Sequence, residues 1–260
     1  MEKCDLKLTL AAFVLLMSMS IVATSGNQKH QQGSGVDRIT EITLASGNED
    51  GTITLRSNGS SQWFHRTADS SGRVGEYIGS VRGGDFQRLA QKAADLRLFE
   101  LPVRMNRAYI VANRTFRLSV TRDGERHEVL ADDTAATELK EFRVAVREAA
   151  GRVRWRRGAS GVKGLLHGPS FDATGELLPT EHPLAHTLMV VRDPTYNSAV
   201  ALVDTDGEGR FDVSLPPGTY ILQANQTRFG VRSGESVPEP ITVSPGKYLS
   251  VRMRFHPRSK

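Results

Sequence analysis

Cysteine is nearly absent: the 260-residue chain has one, Cys4, so it can form no internal disulfide and no cysteine-based zinc site. Aromatic residues make up 7% of the chain, with two tryptophans. No P-loop and no Gly-x-Gly-x-x-Gly dinucleotide turn occurs, so nucleotide-driven chemistry has no motif to rest on. Nor is there a Gly-x-Ser-x-Gly nucleophile elbow; "GASGV" around Ser160 misses the pattern,. Beyond Val22 no apolar run approaches the length of a membrane span,.

What remains is an ordinary globular composition, 38% hydrophobic and 24% charged, with a formal charge of +5 and enough length for two domains that fold by core packing. The apolar run at residues 8–22, "LTLAAFVLLMSMSIV", follows Lys3 and Lys7. Its length suits a signal-peptide core, and Ala23-Thr24-Ser25 offers small residues for cleavage before Gly26,. Residues 1–25 are therefore read as a secretory signal and the protein as exported, to the periplasm or beyond. Glu2 and Asp5 offset the two lysines, so a membrane-tethered form with this segment retained is the alternative,. Cys4 precedes the apolar run, which excludes a lipoprotein reading, and cleavage leaves no cysteine.

Residues 26–35, "GNQKHQQGSG", are too polar to fold alone and read as a linker,. Residues 36–155 then mix two periodicities. Ile42 and Leu44 alternate with polar residues, Asn48-Glu49-Asp50-Gly51 signals a turn, and Ile53 and Leu55 resume the alternation,. Phe116, Leu118 and Val120, then Asp123-Gly124, then Val129 predict a second hairpin,. Asp85 is expected to cap a helix bearing Phe86, Leu89, Ala90, Ala93 and Leu96,. A second helix is expected from about Ala135, with Leu139, Phe142, Val146 and Ala149 on one face and Gly151 at its end,. These elements make an α+β domain with a small antiparallel sheet and two helices. The succession "SNGSSQWFHR", "GEYIGSV", "DFQRLAQKAADLRLFELP" and "VTRDGERHEV" resembles a family of uncharacterised exported bacterial domains, a resemblance that implies no activity.

Residues 156–160 read as a linker at the end of "RVRWRRGASG",. From 161 to 256 helical periodicity is lost, and short runs such as "HTLMVVRD", "SAVALVDT" and "YLSVRMRF" recur between Gly, Pro and Asp, which is the pattern of a β-sandwich. In "FDVSLPPGTYILQA", Phe211, Val213 and Leu215 share one strand face and Tyr220, Leu222 and Ala224 another,. Pro216-Pro217-Gly218 between them is expected to turn, with Gly218 at positive φ, and to hold the two strands in register. With "TDGEGRF" before it and "ITVSPGKYLSVRMRF" after it, the segment resembles the carboxypeptidase regulatory-like domain, an immunoglobulin-like or prealbumin-like sandwich. That resemblance implies a non-catalytic module that braces a neighbour, extends a surface protein or presents loops. The opening "GLLHGPSFDATGELLP" departs from the family pattern by a longer insertion.

Candidate chemistry is thin, and no catalytic, metal or cofactor residue is assigned. Asp204, Asp206 and Glu208 alternate as in a calcium loop, yet Pro216 stands near the position of the bidentate acid, which favours a plain hairpin turn,. His182 and His186 have i, i+4 spacing, but Pro183 argues against a helix, leaving a surface loop,. His65 and His127 are expected on half-exposed strand faces. Asp132 and Asp133 are adjacent and face opposite ways if extended. Arg152, Arg154, Arg156 and Arg157 with Trp155 offer an anionic-surface contact, while export disfavours nucleic acid. Asn58, Asn113 and Asn225 begin glycosylation sequons,. The resulting expectation is a non-catalytic binding or structural protein of the cell envelope, its partner an envelope protein or glycan. An exported enzyme with an unrecognised site in the first domain, braced by the sandwich, is the rival.

Overall fold

The computed structural model describes residues 38–46, 51–103, 115–132, 135–171, 177–226, 234–236 and 239–256. The expected signal, the 26–35 linker, the 48–50 turn residues, Asn113 and Asp133 lie outside them. All described residues belong to one unit, 33–260.

Apolar residues at period two build the first sheet. Strand β1 (Ile39–Ser46) pairs antiparallel with β2 (Thr52–Arg56), setting Ile42 opposite Leu55 and Leu44 opposite Ile53. β3 (Ser60–His65) and β4 (Gly75–Ser80) extend the sheet on one side. Helix α1 (Gly83–Asp95) follows, then a 3-10 turn at Leu98–Glu100. β5 (Thr115–Arg122) and β6 (Glu125–Asp132) complete the other side as a hairpin. Asp123 and Gly124 join them, both at positive φ, which matches the twist that a two-residue hairpin loop needs. Helix α2 (Thr137–Gly151) closes the half. Its Leu139, Phe142, Val146 and Ala149 join Phe86, Leu89 and Ala93 of α1 and the inward residues of the strands in one buried core, as the helical spacing requires.

Two helix boundaries differ from the sequence reading. The residue before α1 is Arg82, without a side-chain cap, and Asp85 lies in the first turn. Asp85 is buried at 4% exposure and paired with Arg152, 3.1 Å away beyond the end of α2, and with Arg88. Burial works to raise its pKa, but the hydrogen bond from Arg152 and the charges of Arg152 and Arg88 hold the carboxyl below its ordinary value,. The second helix begins at Thr137 rather than Ala135.

The remaining strands are β7 (Arg156–Arg157), β8 (Gly161–Phe171), β9 (Leu177–Pro183), β10 (Leu188–Arg192), β11 (Ala199–Asp204), β12 (Arg210–Ser214), β13 (Gly218–Gln226), β14 (Gly234–Ser236), β15 (Glu239–Val243) and β16 (Tyr248–His256). β8 lies between β12 and β16, with β9 along its second half. β13 lies between β10 and β15, and β11 pairs with β10. β14 links β13 to β16. The fold is thus an α+β region followed by an immunoglobulin-like sandwich, and Val162, Leu166, Met189, Val213, Leu222, Met253 and Phe255 fill the second core.

The Pro-Pro-Gly turn does something other than hold a hairpin. β12 pairs with β8 and β4, whereas β13 pairs with β10, β14 and β15. The chain therefore changes sheets here, and Pro216 and Pro217, which lack amide donors, suit a corner outside both ladders. Gly218 is not at positive φ. The Tyr220 hydroxyl donates to the Pro216 carbonyl at 2.9 Å and so closes the corner. Burial, with help from Glu76 and Asp193, pushes the phenol up to about 12.

Candidate functional site

The two halves meet along a seam where one parallel step, Gly75 of β4 beside Ser214 of β12, joins the first sheet to the sandwich. Gly75 has φ +87, and a Cβ there would lie 2.0 Å from the Ser214 carbonyl oxygen, so the approach requires glycine,. β7 pairs with β4 further along the same edge, opposite β3. Beyond it the Gly158 amide donates to the Glu76 carbonyl at 2.9 Å, and the Tyr248 hydroxyl donates to the Gly158 carbonyl at 3.0 Å. Arg157 forks onto both Asp212 carboxylate oxygens at 2.8 and 2.5 Å and lies over the Tyr248 ring. Phe64 and Val74, both from the first half, pack into the second core.

Loop 66–74 forms the other flank of the seam. The Leu202 amide of β11 donates to the Arg66 carbonyl at 2.8 Å. Asp69 organises the loop by accepting from the Ser71 hydroxyl and amide and from the Arg73 amide and guanidinium, at 2.7 to 2.9 Å. Burial works to raise the Asp69 pKa, but these hydrogen bonds outweigh it and hold the carboxyl far below the ordinary range,.

His65 lies under this loop and is 1% exposed, contrary to the half-exposed position read from sequence. It stacks on Trp63 at 4.5 Å and meets the Tyr77 ring edge-on at 5.6 Å. Neither ring nitrogen has a hydrogen-bond partner, and Nδ1 is 3.8 Å from Asp69. Burial lowers the imidazole pKa; Asp69 raises it in part and Arg73 lowers it further, so the neutral form is favoured. Alternation in "QWFHR" places Trp63 and His65 on one face, but Trp63 is covered by Trp155, which meets it edge-on at 5.5 Å from far along the chain.

Other sequence candidates are engaged structurally. The Asp206 carboxylate accepts the amides of Glu208 and Arg210, at 3.0 and 2.7 Å, so it holds the turn before β12. Ser160 Oγ accepts the Gly246 amide at 2.9 Å, and its carbonyl accepts from Leu215 and Ser214. His182 is on strand β9 rather than in a loop, bonded to the Thr180 carbonyl, and His186 is on the exposed turn beyond. His127 is half-buried on β6 and bonded to the Leu101 carbonyl. Arg152 and Arg157 are paired across the fold, while Arg154 and Arg156 are exposed. Asn58 is exposed at the β2 to β3 turn, its carbonyl oxygen accepting from Ser60; Asn225 lies within β13. Among the described residues no group of three or more acids, histidines or cysteines is placed to hold a metal ion, and no helix is long and apolar enough to cross a membrane.

A groove of about 1150 Å³ opens beside the sandwich. Lys163, Leu165, Arg210, Asp212, Ser250 and Arg252 line it, together with Asp204, Asp206 and Glu208.

No protein-family model matches the chain, and no curated protein matches it. Among solved structures it is similar to the minor pilin GBS52 of Streptococcus agalactiae, at 14% identity over 56% of this chain and 62% of that one, with a TM-score of 0.26. Two structures of the major pilin subunit BcpA of Bacillus cereus match at 12% and 10% identity, over 56% and 84% of this chain and 38% and 61% of theirs, with TM-scores of 0.24 and 0.19. The chain spans less than two thirds of the length of each pilin. Superpositions this loose transfer no residue role or partner.

Proposed function

We propose that this is an exported, non-catalytic structural and binding protein of the bacterial cell envelope. A carboxypeptidase regulatory-like sandwich, residues 161–256, braces an α+β domain, residues 36–155, through the short connection 156–160. The observation that carries this reading is the seam. Arg157, Gly158 and Ser160 of the connection bond to both halves, and Phe64 and Val74 of the first half help fill the second core. Such a joint suits a brace better than a hinge, because opening it exposes apolar surface and strands buried polar groups. The sandwich motifs and the apolar run at residues 8–22 support the same reading from sequence.

The enzyme alternative has one observation in its favour, the His65 imidazole beside Asp69. Its burial at 1% exposure leaves a substrate no path to the ring,. Fractionation of the native cells, with mass spectrometry of the N-terminus, tests the proposal. The expected product begins near Gly26 and is recovered from the envelope or medium, where a tagged chain is retained by envelope material. A membrane-bound product with residues 1–25 intact supports the tethered form, and cytosolic recovery overturns export.

A further inference from the structure

The sandwich sheet of β12, β8 and β16 carries an excess of unneutralised positive charge on its outer face. Register sets Arg210 and Arg252 on either side of Leu165, with Lys163 two residues along β8. Strand spacing puts the two arginine backbones roughly 10 Å apart and Lys163 about 7 Å along the strand. All three side chains are exposed. Lys163 has Asp212 as its cross-strand neighbour, but Arg157 already occupies both Asp212 oxygens. Glu181 at the far end of the face is likewise held by Arg254 and His167. The acids on the strands of this face, Asp212 and Glu181, are thus engaged elsewhere, Asp204, Asp206 and Glu208 from before β12 also line the groove, and among the described residues Lys163, Arg210 and Arg252 enter no ion pair.

We infer that this face binds an acidic polysaccharide. The cations lie on an open sheet without a cup of backbone amides, so a single small anion is held weakly in water. A polymer whose carboxylates or sulfates recur every sugar or two meets all three at once and gains by avidity. Nucleic acid fits less well, because the one Phe, Tyr or Trp among the facing positions from 161 to 167, 210 to 212 and 248 to 254, Tyr248, is already covered by Arg157, leaving little for bases to stack on. An anionic membrane fits less well too, since Leu165 is the lone aliphatic residue among the facing positions from 163 to 167, 210 to 212 and 250 to 254,. Asp204, Asp206 and Glu208 also line the groove and are expected to oppose the polyanion.

The inference rests on the binding role proposed above and deepens it. The test is titration of the full chain with polygalacturonate, against neutral dextran and single-stranded DNA, from 50 to 300 mM salt. Binding to polygalacturonate that weakens with salt is expected, with none to dextran. The triple variant K163Q/R210Q/R252Q should lose at least tenfold in affinity, and its salt slope should fall by about one per cation removed. The charge-matched variant R82Q/R97Q/R126Q, on the first half, should stay within twofold, and D204N/E208Q should bind more tightly. Unchanged denaturation midpoints confirm that the variants are folded. No binding to polygalacturonate, tighter binding to DNA, or equal losses in the two triple variants overturns the inference. Retention of both triple variants on envelope material overturns the patch while leaving the binding role; failure of the unaltered chain to be retained overturns that role.

Discussion

The two halves bury their strands in different ways. In the first, two amphipathic helices cover one face of an antiparallel sheet, and the other face keeps a polar row that includes the hydroxyl contact of Thr43 with Thr54 at 3.2 Å. In the second, two sheets close on each other and the outer face keeps its charges. A helix-covered sheet ends in an exposed edge unless something pairs with it. Here β7 and the parallel step to β12 cover β4, so the sandwich completes the first half as well as itself. The joint, rather than either core, is where this protein departs from two beads on a string.

The largest loss is expected from denying the close approach at Gly75. G75A places a methyl group where the Ser214 carbonyl lies and demands a positive φ from alanine, so we expect a loss of about 3 to 5 kcal/mol in urea unfolding, enough to prevent folding at 37 °C. D85A, which removes the buried acid between α1 and Arg152, should cost about 1 to 2 kcal/mol; the freed arginines regain solvent, which limits the loss. The same variant should weaken the acid dependence. The folded-state pKa of Asp85 is depressed, so its contribution is present above the ordinary carboxylate pKa and disappears as pH falls through the folded value,.

His65 ties the stability of the first half to pH. Its folded pKa lies below 6.5, so the folded state binds fewer protons than the unfolded one, and stability falls as pH drops below 6.5 toward the folded value. H65F should remove that part of the acid limb, and comparing urea midpoints of the variant and the unaltered protein at pH 7.5 and 5.5 measures the difference. The smallest effect is expected at the sheet-changing corner. Y220F loses one hydrogen bond to the Pro216 carbonyl, worth about 1 kcal/mol, without changing which strands pair.

Local structure was legible in the sequence because it is periodic. Ile42, Leu44, Ile53 and Leu55 announced one hairpin, Asp123-Gly124 the twist-matched turn of another, and Leu139, Phe142 and Val146 a helix face, since each signal lies within a few residues of its partner,. The seam was not legible, because Gly75 acquires its role from Ser214 and Trp63 its cover from Trp155. Asp85 looked like a cap for the same reason: its partner Arg152 is remote in sequence. Pro216-Pro217-Gly218 announced a turn, but turn chemistry alone cannot tell a hairpin from a change of sheet. The cationic face of the sandwich was hidden too, since charge pairing between Arg157 and Asp212 decides which neighbours stay unneutralised.

The seam is expected to make one cooperative body of the two halves. Both tryptophans, Trp63 and Trp155, belong to the first half and meet at 5.5 Å, so their fluorescence reports that half, whereas far-ultraviolet circular dichroism near 215 nm reports the strands of both. Equilibrium urea unfolding followed by the two signals tests the claim directly. A single transition with coincident midpoints is the predicted result, and a fluorescence transition separated from a second one seen by dichroism alone would contradict it.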